Sequence, residues 1–262
     1  MSFETLLSEK NGSIGIITLN RPQQMNALNV QLLAELSELL DQYESDGNVS
    51  ALVLTGSGKA FCAGGDVKSN TETGDDYLAT FLKFSRLTRE TLHKIEVFKK
   101  PVIAAIGGAA MGGGLELALC CDLRVASDKA KLGLTETKLG VVPGAGGTQR
   151  LPRLVGTALA KQLVFTGNVI TGDEAYRIGL VNAVVPREEC LNKAVELAKE
   201  ISKRAPLAVQ AAKKCINMSQ QVDLESGLNY EAECVKFVML SEDHAEGFKA
   251  FAEKREPVWK GR

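Results

Sequence analysis

Two glutamates in apolar or turn-rich surroundings are the side chains of this sequence best suited to proton transfer. Glu116 follows three glycines and is flanked by Leu115, Leu117 and Ala118, while Glu136 lies between two threonines. A carboxylate among apolar side chains costs free energy unless it is paired or functional. Two carboxyl groups in one desolvated pocket acquire different pKa values, so that one holds a proton while the other does not. The pair therefore suggests acid–base catalysis.

Each glutamate also has a purely structural interpretation. Near the start of a helix, Glu116 would gain about 0.3–1 kcal/mol from the helix dipole. Glu136, taken alone, is equally compatible with an exposed surface acid. The catalytic interpretation depends on the two carboxyl groups sharing one pocket.

Other catalytic chemistries find little support in the sequence. The two histidines, His93 and His244, lie among charged residues in helical patterns, which is typical of solvated helix faces. No G-x-S-x-G motif is present, and there is no H-x-x-x-H or C-x-x-C spacing. Neither a nucleophilic triad nor a metal site is predicted.

Five glycine clusters follow predicted strands, at residues 56–58, 64–65, 107–108, 112–114 and 144–147. Glycines at strand-to-helix junctions let backbone N–H groups approach a ligand closely. For any one cluster, a tight turn or close helix–sheet packing is the simpler explanation. The clusters match neither a P-loop nor the G-x-G-x-x-G dinucleotide motif, so a nucleotide site is not predicted.

The elements that would carry these residues alternate between strand and helix. Apolar runs at residues 5–8 and 14–19 flank a turn signal and predict a hairpin. A leucine stripe from Leu28 to Tyr43 predicts a helix. Similar reasoning predicts the elements that follow, namely strands over 51–55 and 101–106 and helices over 75–98 and 115–121. The pattern is that of an α/β fold.

The C-terminal part of the chain has a different pattern. A last strand is predicted over 181–185, and from residue 188 onward only helical periods occur, interrupted by Pro206 and Gly227. We therefore expect an α/β core with the catalytic site over residues 1–195 and a helical region over 196–262. The apolar stripes of that helical region would leave one face uncovered in a monomer.

Composition and charge narrow the functional classes. Hydrophobic residues make up 45% and charged residues 24%, as in ordinary globular proteins, and the formal net charge is −1. No apolar run approaches the length of about 20 residues that a membrane helix needs. Neither membrane association nor nucleic-acid binding is expected. The six cysteines lack disulfide-like spacing, which indicates reduced thiols in a cytoplasmic compartment.

Characteristic stretches are spread over nearly the whole chain, at residues 19–22, 26–28, 61–66, 100–105, 112–118, 121–122, 143–151 and 252–255. In these stretches the sequence resembles the crotonase family, also called the enoyl-CoA hydratase/isomerase family. The resemblance implies a crotonase-like spiral of ββα units followed by a C-terminal helical trimerisation region. It also implies assembly as a homo-trimer or homo-hexamer.

The resemblance further implies the chemistry. An enoyl-CoA hydratase adds water across the 2,3 double bond of a 2-enoyl-CoA to give a 3-hydroxyacyl-CoA, in the catabolism of fatty or branched acyl groups. Glu116 would activate the water and Glu136 would protonate the α-carbon. The oxyanion-hole amides would be those of Gly65 and Gly113, and losing one such donor typically costs about 10²–10³ in rate.

Contacts with coenzyme A are implied at residues matching the family's binding positions: Ala63, Gly65, Asp66, Val67, Lys68, Phe251 and Lys254. Coenzyme A is part of the substrate, and no separate cofactor or metal is expected. One departure affects the phosphate contacts, since Gln23 stands where relatives often carry a lysine.

Two alternatives remain beside the hydratase. An isomerase or another crotonase-type reaction usually needs only an acid at the Glu136 position, so the presence of Glu116 argues against it. Residues 134–138 look like the branch of methylglutaconyl-CoA hydratases, which also bind AU-rich RNA, and this suggests branched or acidic acyl groups. An RNA-binding function is disfavoured because residues 41–58 lack lysine and arginine and aromatic residues total only 5%.

Overall fold

Strands and helices alternate along residues 3–66 and 77–262, the part of the chain that the computed structural model describes. The strands are β1 Leu6–Asn11, β2 Ile14–Leu19, β3 Ala51–Gly56, β4 Ala60–Cys62, β5 Val102–Ile106, β6 Ala109–Met111, β7 Leu123–Ser127, β8 Lys131–Gly133, β9 Ile170–Thr171 and β10 Ala183–Val185. The α-helices are α1 Val30–Ser45, α2 Tyr77–Glu96, α3 Gly113–Leu119, α4 Gly147–Val155, α5 Thr157–Thr166, α6 Gly172–Arg177, α7 Cys190–Ser202, α8 Pro206–Met218, α9 Leu224–Met239 and α10 Glu242–Glu253. Short 3-10 helices lie at Pro22–Gln24, Glu136–Leu139 and Arg187–Glu189.

These strands form two sheets. The larger sheet has the order β1-β2-β3-β5-β7-β10, in which β1 pairs with β2 antiparallel and the other neighbours are parallel. The smaller sheet has the order β4-β6-β8-β9, with β9 antiparallel at its edge. Parallel pairing of strands that are not consecutive in the chain requires a crossover between them.

The crossovers follow a repeating rule. After β3, β5 and β7 each enter the larger sheet, the chain turns within a few residues, and β4, β6 and β8 each enter the smaller one. A helical segment then returns the chain to the next repeat: α2 after β4, α3 after β6, and a 3-10 helix followed by α4 after β8. Each repeat is thus a ββα unit, and successive units stack side by side.

Apolar periodicity explains how α1 joins this core. Leu32, Leu33, Leu36, Leu39 and Leu40 are all buried on one face of the helix. The helix begins after Asn29, whose side-chain oxygen accepts a hydrogen bond of 2.9 Å from the backbone N–H of residue 32. The same face packs into the main hydrophobic cluster between the sheets and the helices.

A second hydrophobic cluster joins α7 to the larger sheet. Cys190, Ala194, Val195 and Ala198 are buried against strands β3, β5 and β7. Their small side chains let the helix approach the sheet closely. The boundary expected at residue 195 falls inside this helix, and because α7 packs on the core sheet we propose that the helical region begins with α8.

A buried ion pair ties α8 to the core. The Lys213 ammonium donates hydrogen bonds to Asp122 Oδ2 at 2.8 Å and to the Lys100 carbonyl at 3.2 Å. The Val102 N–H donates to the same Asp122 oxygen at 2.7 Å. In contrast, α8 and α9 have no fully buried residue, and large apolar side chains stand exposed on α9 and α10, among them Leu224, Leu228, Val235, Phe237, Phe248 and Phe251.

Most predicted elements are present with shifted ends. The hairpin is confirmed as β1 and β2, although β1 extends to Asn11. The helix predicted from Leu28 begins only at Val30, and Leu28 instead forms an isolated bridge with Gly65. The predicted helices over 75–98 and 115–121 appear as α2 and α3. None of the helices in the described residues is long and apolar enough to cross a membrane.

Candidate active site

Glu116 lies in the first turn of α3, a helix whose other residues are apolar. The helix starts at Gly113, directly after Gly112, which has a positive φ of 53°. Only 3% of the Glu116 surface is exposed. A carboxylate in such a place needs hydrogen-bond donors to remain ionised.

Two backbone amides from the glycine-rich loop supply those donors. Glu116 Oε1 accepts hydrogen bonds from the N–H of Ala145 at 2.8 Å and from the N–H of Gly147 at 2.7 Å. Burial raises the pKa of Glu116, and these two N–H groups together with the nearby Arg150 guanidinium oppose that rise. The loop therefore stabilises the ionised form and fixes the direction of the carboxylate.

The carboxyl group of Glu136 lies against Gly112, the residue directly before α3. It opens the 3-10 helix Glu136–Leu139, and a Cβ atom added to Gly112 would lie 3.3 Å from Glu136 Oε1. Both carboxyl oxygens of Glu136 are buried, and neither has a hydrogen-bond partner within the described part of the chain. The negative charge of Glu116 also raises the pKa of Glu136, so the two carboxyl groups are close enough to interact; that they act together as a catalytic pair stays a prediction.

The two carboxyl groups differ in proton affinity. Burial, with a smaller contribution from the negative charge of Glu116, raises the pKa of Glu136 to about 7. Glu116 accepts hydrogen bonds from two N–H groups, whereas no donor contacts the carboxyl oxygens of Glu136 within residues 3–66 and 77–262. With a pKa of about 7, Glu136 is therefore the better placed of the two to carry a proton near neutral pH. One base and one acid in one pocket are the requirement for concerted proton transfer.

The backbone amides of Gly65 and Gly113 lie next to each other. A Cβ atom added to Gly113 would lie only 3.6 Å from the Gly65 nitrogen, so the two amides are neighbours. As the first residue of α3, Gly113 has no acceptor within the helix for its N–H. In the bridge between Leu28 and Gly65, the Leu28 N–H donates to the Gly64 carbonyl and the Asp66 N–H donates to the Leu28 carbonyl. The N–H of Gly65 itself takes no part in this pairing. The arrangement suits an oxyanion hole.

The predicted binding residue Asp66 has a structural partner. Arg21 Nη2 lies 2.8 Å from Asp66 Oδ2, and the two side chains are largely buried. The Asp66 N–H donates to the Leu28 carbonyl at 2.8 Å. These contacts hold the segment that contains Gly65 in place.

The structure separates the other residues predicted to contact coenzyme A. Ala63 lies half-buried near Gly65, whereas Val67 and Lys68 lie outside the described residues. Phe251, with 86% of its surface exposed, and Lys254, at the end of α10, belong to the helical region. Among the described residues α10 packs on α9, so these last two side chains are not brought together with Glu116 and Glu136 within one chain.

Sequence reasoning missed the role of the loop over residues 143–147. Its glycines were noted as a place where N–H groups approach a ligand, but their partner is the chain's own Glu116. It also missed the ion pair between Glu96 and Arg150, whose guanidinium donates a hydrogen bond to the Ala145 carbonyl of the loop. No spacing rule links Glu96 to Arg150, since they lie on different helices.

Comparisons with known proteins identify the family of the chain. The sequence profile of the family described as enoyl-CoA hydratase/isomerase matches residues 9–262. A short-chain-enoyl-CoA hydratase of Clostridium acetobutylicum is 43% identical, with 97% of this chain and 97% of that protein covered. A mitochondrial methylglutaconyl-CoA hydratase of Mus musculus is 41% identical, with 97% of this chain and 82% of that protein covered.

A solved structure extends the likeness to three dimensions. The crystal structure of an enoyl-CoA hydratase from Bacillus anthracis superimposes with a TM-score of 0.95 at 43% identity, covering 99% of this chain and 100% of that one. The chain belongs to the enoyl-CoA hydratase/isomerase family. The family resemblance and the α/β spiral of ββα units expected from the sequence are both confirmed.

The unusual pKa of Glu136 leads to a prediction about stability. We expect Glu136→Gln to increase the free energy of unfolding at pH 8 more than at pH 5. The pKa is about 7 in the folded chain and about 4.3 when unfolded, so the folded state binds more protons between these values and loses stability as the pH rises through them. After allowance for solvent screening of this half-buried group, the gain at pH 8 is about 1–2 kcal/mol.

Urea unfolding at the two pH values measures this effect. The matched control is Glu9→Gln, which replaces an exposed carboxyl on β1 and should change little at either pH. An equal gain for Glu136→Gln at pH 5 and pH 8 would contradict the prediction, because ionisation would then not be its cause.

Proposed function

We propose that this protein is an enoyl-CoA hydratase, a hydro-lyase that adds water across the 2,3 double bond of a 2-enoyl-CoA. The observation that carries the proposal is that the carboxyl groups of Glu116 and Glu136 are close enough to influence each other, in a chain whose Gly65 and Gly113 backbones are also neighbours. These groups support a base held by two N–H donors, an acid with a pKa of about 7 and two N–H groups for an oxyanion.

Each group has a role in the proposed reaction. The N–H groups of Gly65 and Gly113 donate to the thioester oxygen and stabilise the negative charge that develops on it. Glu116 takes a proton from water as the oxygen of that water bonds to the β-carbon. Glu136 gives its proton to the α-carbon, and the product is a 3-hydroxyacyl-CoA. No cofactor is needed, because the carboxyl groups perform both proton transfers.

The substrate class is a 2-enoyl thioester of coenzyme A. One relative is named for short-chain substrates and another for methylglutaconyl-CoA, at 43% and 41% identity. This similarity to both supports a place in the catabolism of fatty or branched acyl groups, such as β-oxidation. We propose coenzyme A contacts at the residues expected from the family: Ala63, Gly65, Asp66, Val67, Lys68, Phe251 and Lys254.

Isomerisation of the double bond is the second candidate. The family description includes isomerases, and Glu136, whose carboxyl oxygens have no hydrogen-bond partner in the described residues, is by itself able to move one proton between two carbons. Glu116 favours hydration, because an isomerase has no water to activate and so no use for a second carboxylate held by two N–H groups.

We also propose that the chain assembles as a homo-trimer or homo-hexamer. The support comes from α9, α10 and the turn between them, where Leu240 in the turn and Phe248 and Phe251 on α10 have 89%, 69% and 86% of their surface exposed. Exposed apolar faces of this kind mark interaction surfaces. A cytoplasmic location is proposed from the six free cysteines, of which Cys62, Cys120, Cys121 and Cys190 are buried thiols.

Replacing each glutamate separates hydration from isomerisation. We expect Glu116→Gln and Glu136→Gln each to lower the rate of hydration of crotonyl-CoA by about 10²–10⁴, because each removes one proton-transfer partner. The rate is followed by the loss of enoyl absorbance. Both variants keep the size of the side chain, and correct folding is checked by circular dichroism.

The contrary outcomes are distinct. If Glu116→Gln keeps most of its hydration rate, the mechanism with two glutamates is wrong. If the unmodified protein hydrates no enoyl-CoA but converts a 3-enoyl-CoA to a 2-enoyl-CoA, isomerisation is the function.

A pair of substitutions at Gly113 tests the oxyanion hole. Gly113→Pro deletes the N–H, and proline is well tolerated at the first position of a helix. Gly113→Ala keeps the N–H, and its Cβ atom would make only ordinary contacts, the nearest at 3.5 Å from Leu28. We expect the proline variant to lose about 10²–10³ in kcat and the alanine variant to stay near the unmodified rate. Equal rates in the two variants would remove Gly113 from the oxyanion hole.

Light scattering tests the assembly. We expect a mass three or six times that of the 28.1 kDa chain. Leu240→Glu, which places a charge on an apolar face, should weaken the assembly, whereas Leu7→Glu on the exposed face of β1 should not. A fully active monomer would contradict the proposal.

A further inference from the structure

We propose that Arg150, held in place by Glu96, is a positioning residue that fixes Glu116 for proton transfer through the loop of residues 143–147. The inference rests on the proposed hydratase function and adds two residues to its machinery. Neither of them touches the reacting atoms. Their influence reaches the substrate only through the carboxylate of Glu116.

A continuous chain of hydrogen bonds carries this influence. Arg150 Nη1 donates to the Ala145 carbonyl at 2.9 Å, and the N–H of the same Ala145 donates to Glu116 Oε1 at 2.8 Å. The guanidinium also donates through Nε and Nη2 to the two oxygens of Glu96, at 3.1 and 2.7 Å. Such a two-point fork fixes the plane of the guanidinium more strictly than a single contact would.

The Arg150 guanidinium also packs against the backbone of the loop at Gly146. Gly146 lies between the two amides that bind Glu116, and it has a positive φ of 108°. A Cβ atom at Gly146 would lie only 1.8 Å from Arg150 Nη1, so the guanidinium lies directly against the bare backbone. A displacement of the guanidinium would therefore move the loop that holds the catalytic carboxylate.

Glu96 is the residue that holds the Arg150 guanidinium at the far end of this chain of hydrogen bonds. It is the last residue of α2, its side chain is 35% exposed, and it also contacts His93 Nδ1 at 3.1 Å. Burial alone would raise its pKa, but the hydrogen bonds and charge of Arg150, with a smaller contribution from His93, hold the pKa of Glu96 below its usual value. The group is thus an ionised partner for Arg150 at neutral pH.

The charges that face Glu116 come from two elements. Arg150 on α4 favours the ionised carboxylate, and Glu136 on the 3-10 helix disfavours it when ionised. The thiols of Cys120 on α3 and Cys62 on β4 are neutral, because burial raises the pKa of both, that of Cys62 to about 12. Arg150 therefore adds one favourable charge to the larger stabilisation that the N–H groups of Gly147 and Ala145 give the ionised carboxylate.

Four variants, assayed for hydration of crotonyl-CoA over a range of pH, test the inference. In Arg150→Met we expect kcat to fall by about 10–100-fold, because a small displacement of a catalytic group is costly, while KM changes by less than about threefold. Without the cation the pKa of Glu116 rises, and since the base acts only when ionised, the acid limb of the pH profile should move to higher pH. Arg153→Met, on the exposed face of the same helix, is the matched control and should leave both unchanged.

Arg150→Lys and Glu96→Gln separate charge from geometry. The lysine keeps the positive charge but not the fork, so we expect the acid limb to return toward its original position while kcat stays reduced. Glu96→Gln should lower kcat in the same direction but by less, because it retains an acceptor for Arg150.

A folded Arg150→Met variant with unchanged kcat and an unchanged acid limb would overturn the inference, even if its melting temperature fell. If that variant does not fold, unchanged kcat in both Arg150→Lys and Glu96→Gln would overturn it. Absence of hydration by the unmodified protein is a different result, which refutes the proposed function itself.

Discussion

The two hydrogen bonds that Glu116 accepts on one oxygen constrain the whole pocket. A carboxylate in the apolar helix α3 would be strongly destabilised without donors, and the donors present are the N–H groups of Ala145 and Gly147. They place the start of α4 over α3 and bring together two segments that are far apart in sequence. Because these donors are backbone amides, the loop conformation itself favours the ionised form of Glu116 against the effect of burial.

Close backbone packing provides the second half of the site. A Cβ atom at Gly114 would lie 2.0 Å from the Cys62 carbonyl, so α3 rests almost directly on β4. This approach is what brings the Gly113 amide beside the Gly65 amide. The ion pair of Arg21 and Asp66 holds the segment after β4 from the opposite side. The same close packing of α3 on β4 thus fills the core and sets the positions of the Gly65 and Gly113 amides, and it requires glycine at position 114.

The sequence predicted the long elements and the chemistry better than the short strands. The stripes of α1 and the apolar runs of β2 and β3 have enough residues to show a period, whereas β4, β6, β8 and β9 have two or three residues each and show none. Glu116 and Glu136 were identifiable because a carboxylate near apolar residues and glycines is unusual. The Arg150–Glu96 pair was not, since both are ordinary charged residues of helical patterns and only the tertiary fold brings them together.

The unequal surroundings of the two glutamates also determine how the proposed reaction cycle closes. After hydration Glu116 carries the proton taken from water and Glu136 has lost its own, so both must return to their starting states. The two N–H donors and Arg150 favour release of the proton from Glu116, and with a pKa of about 7 Glu136 regains one readily at neutral pH. Because each carboxyl group shifts the proton affinity of the other, the starting state belongs to the pair rather than to either residue. Burial of the Glu136 carboxyl, which has no hydrogen-bond partner within the described residues, lowers the stability of the fold when this group is ionised, and the same burial raises its pKa so that it can donate a proton again.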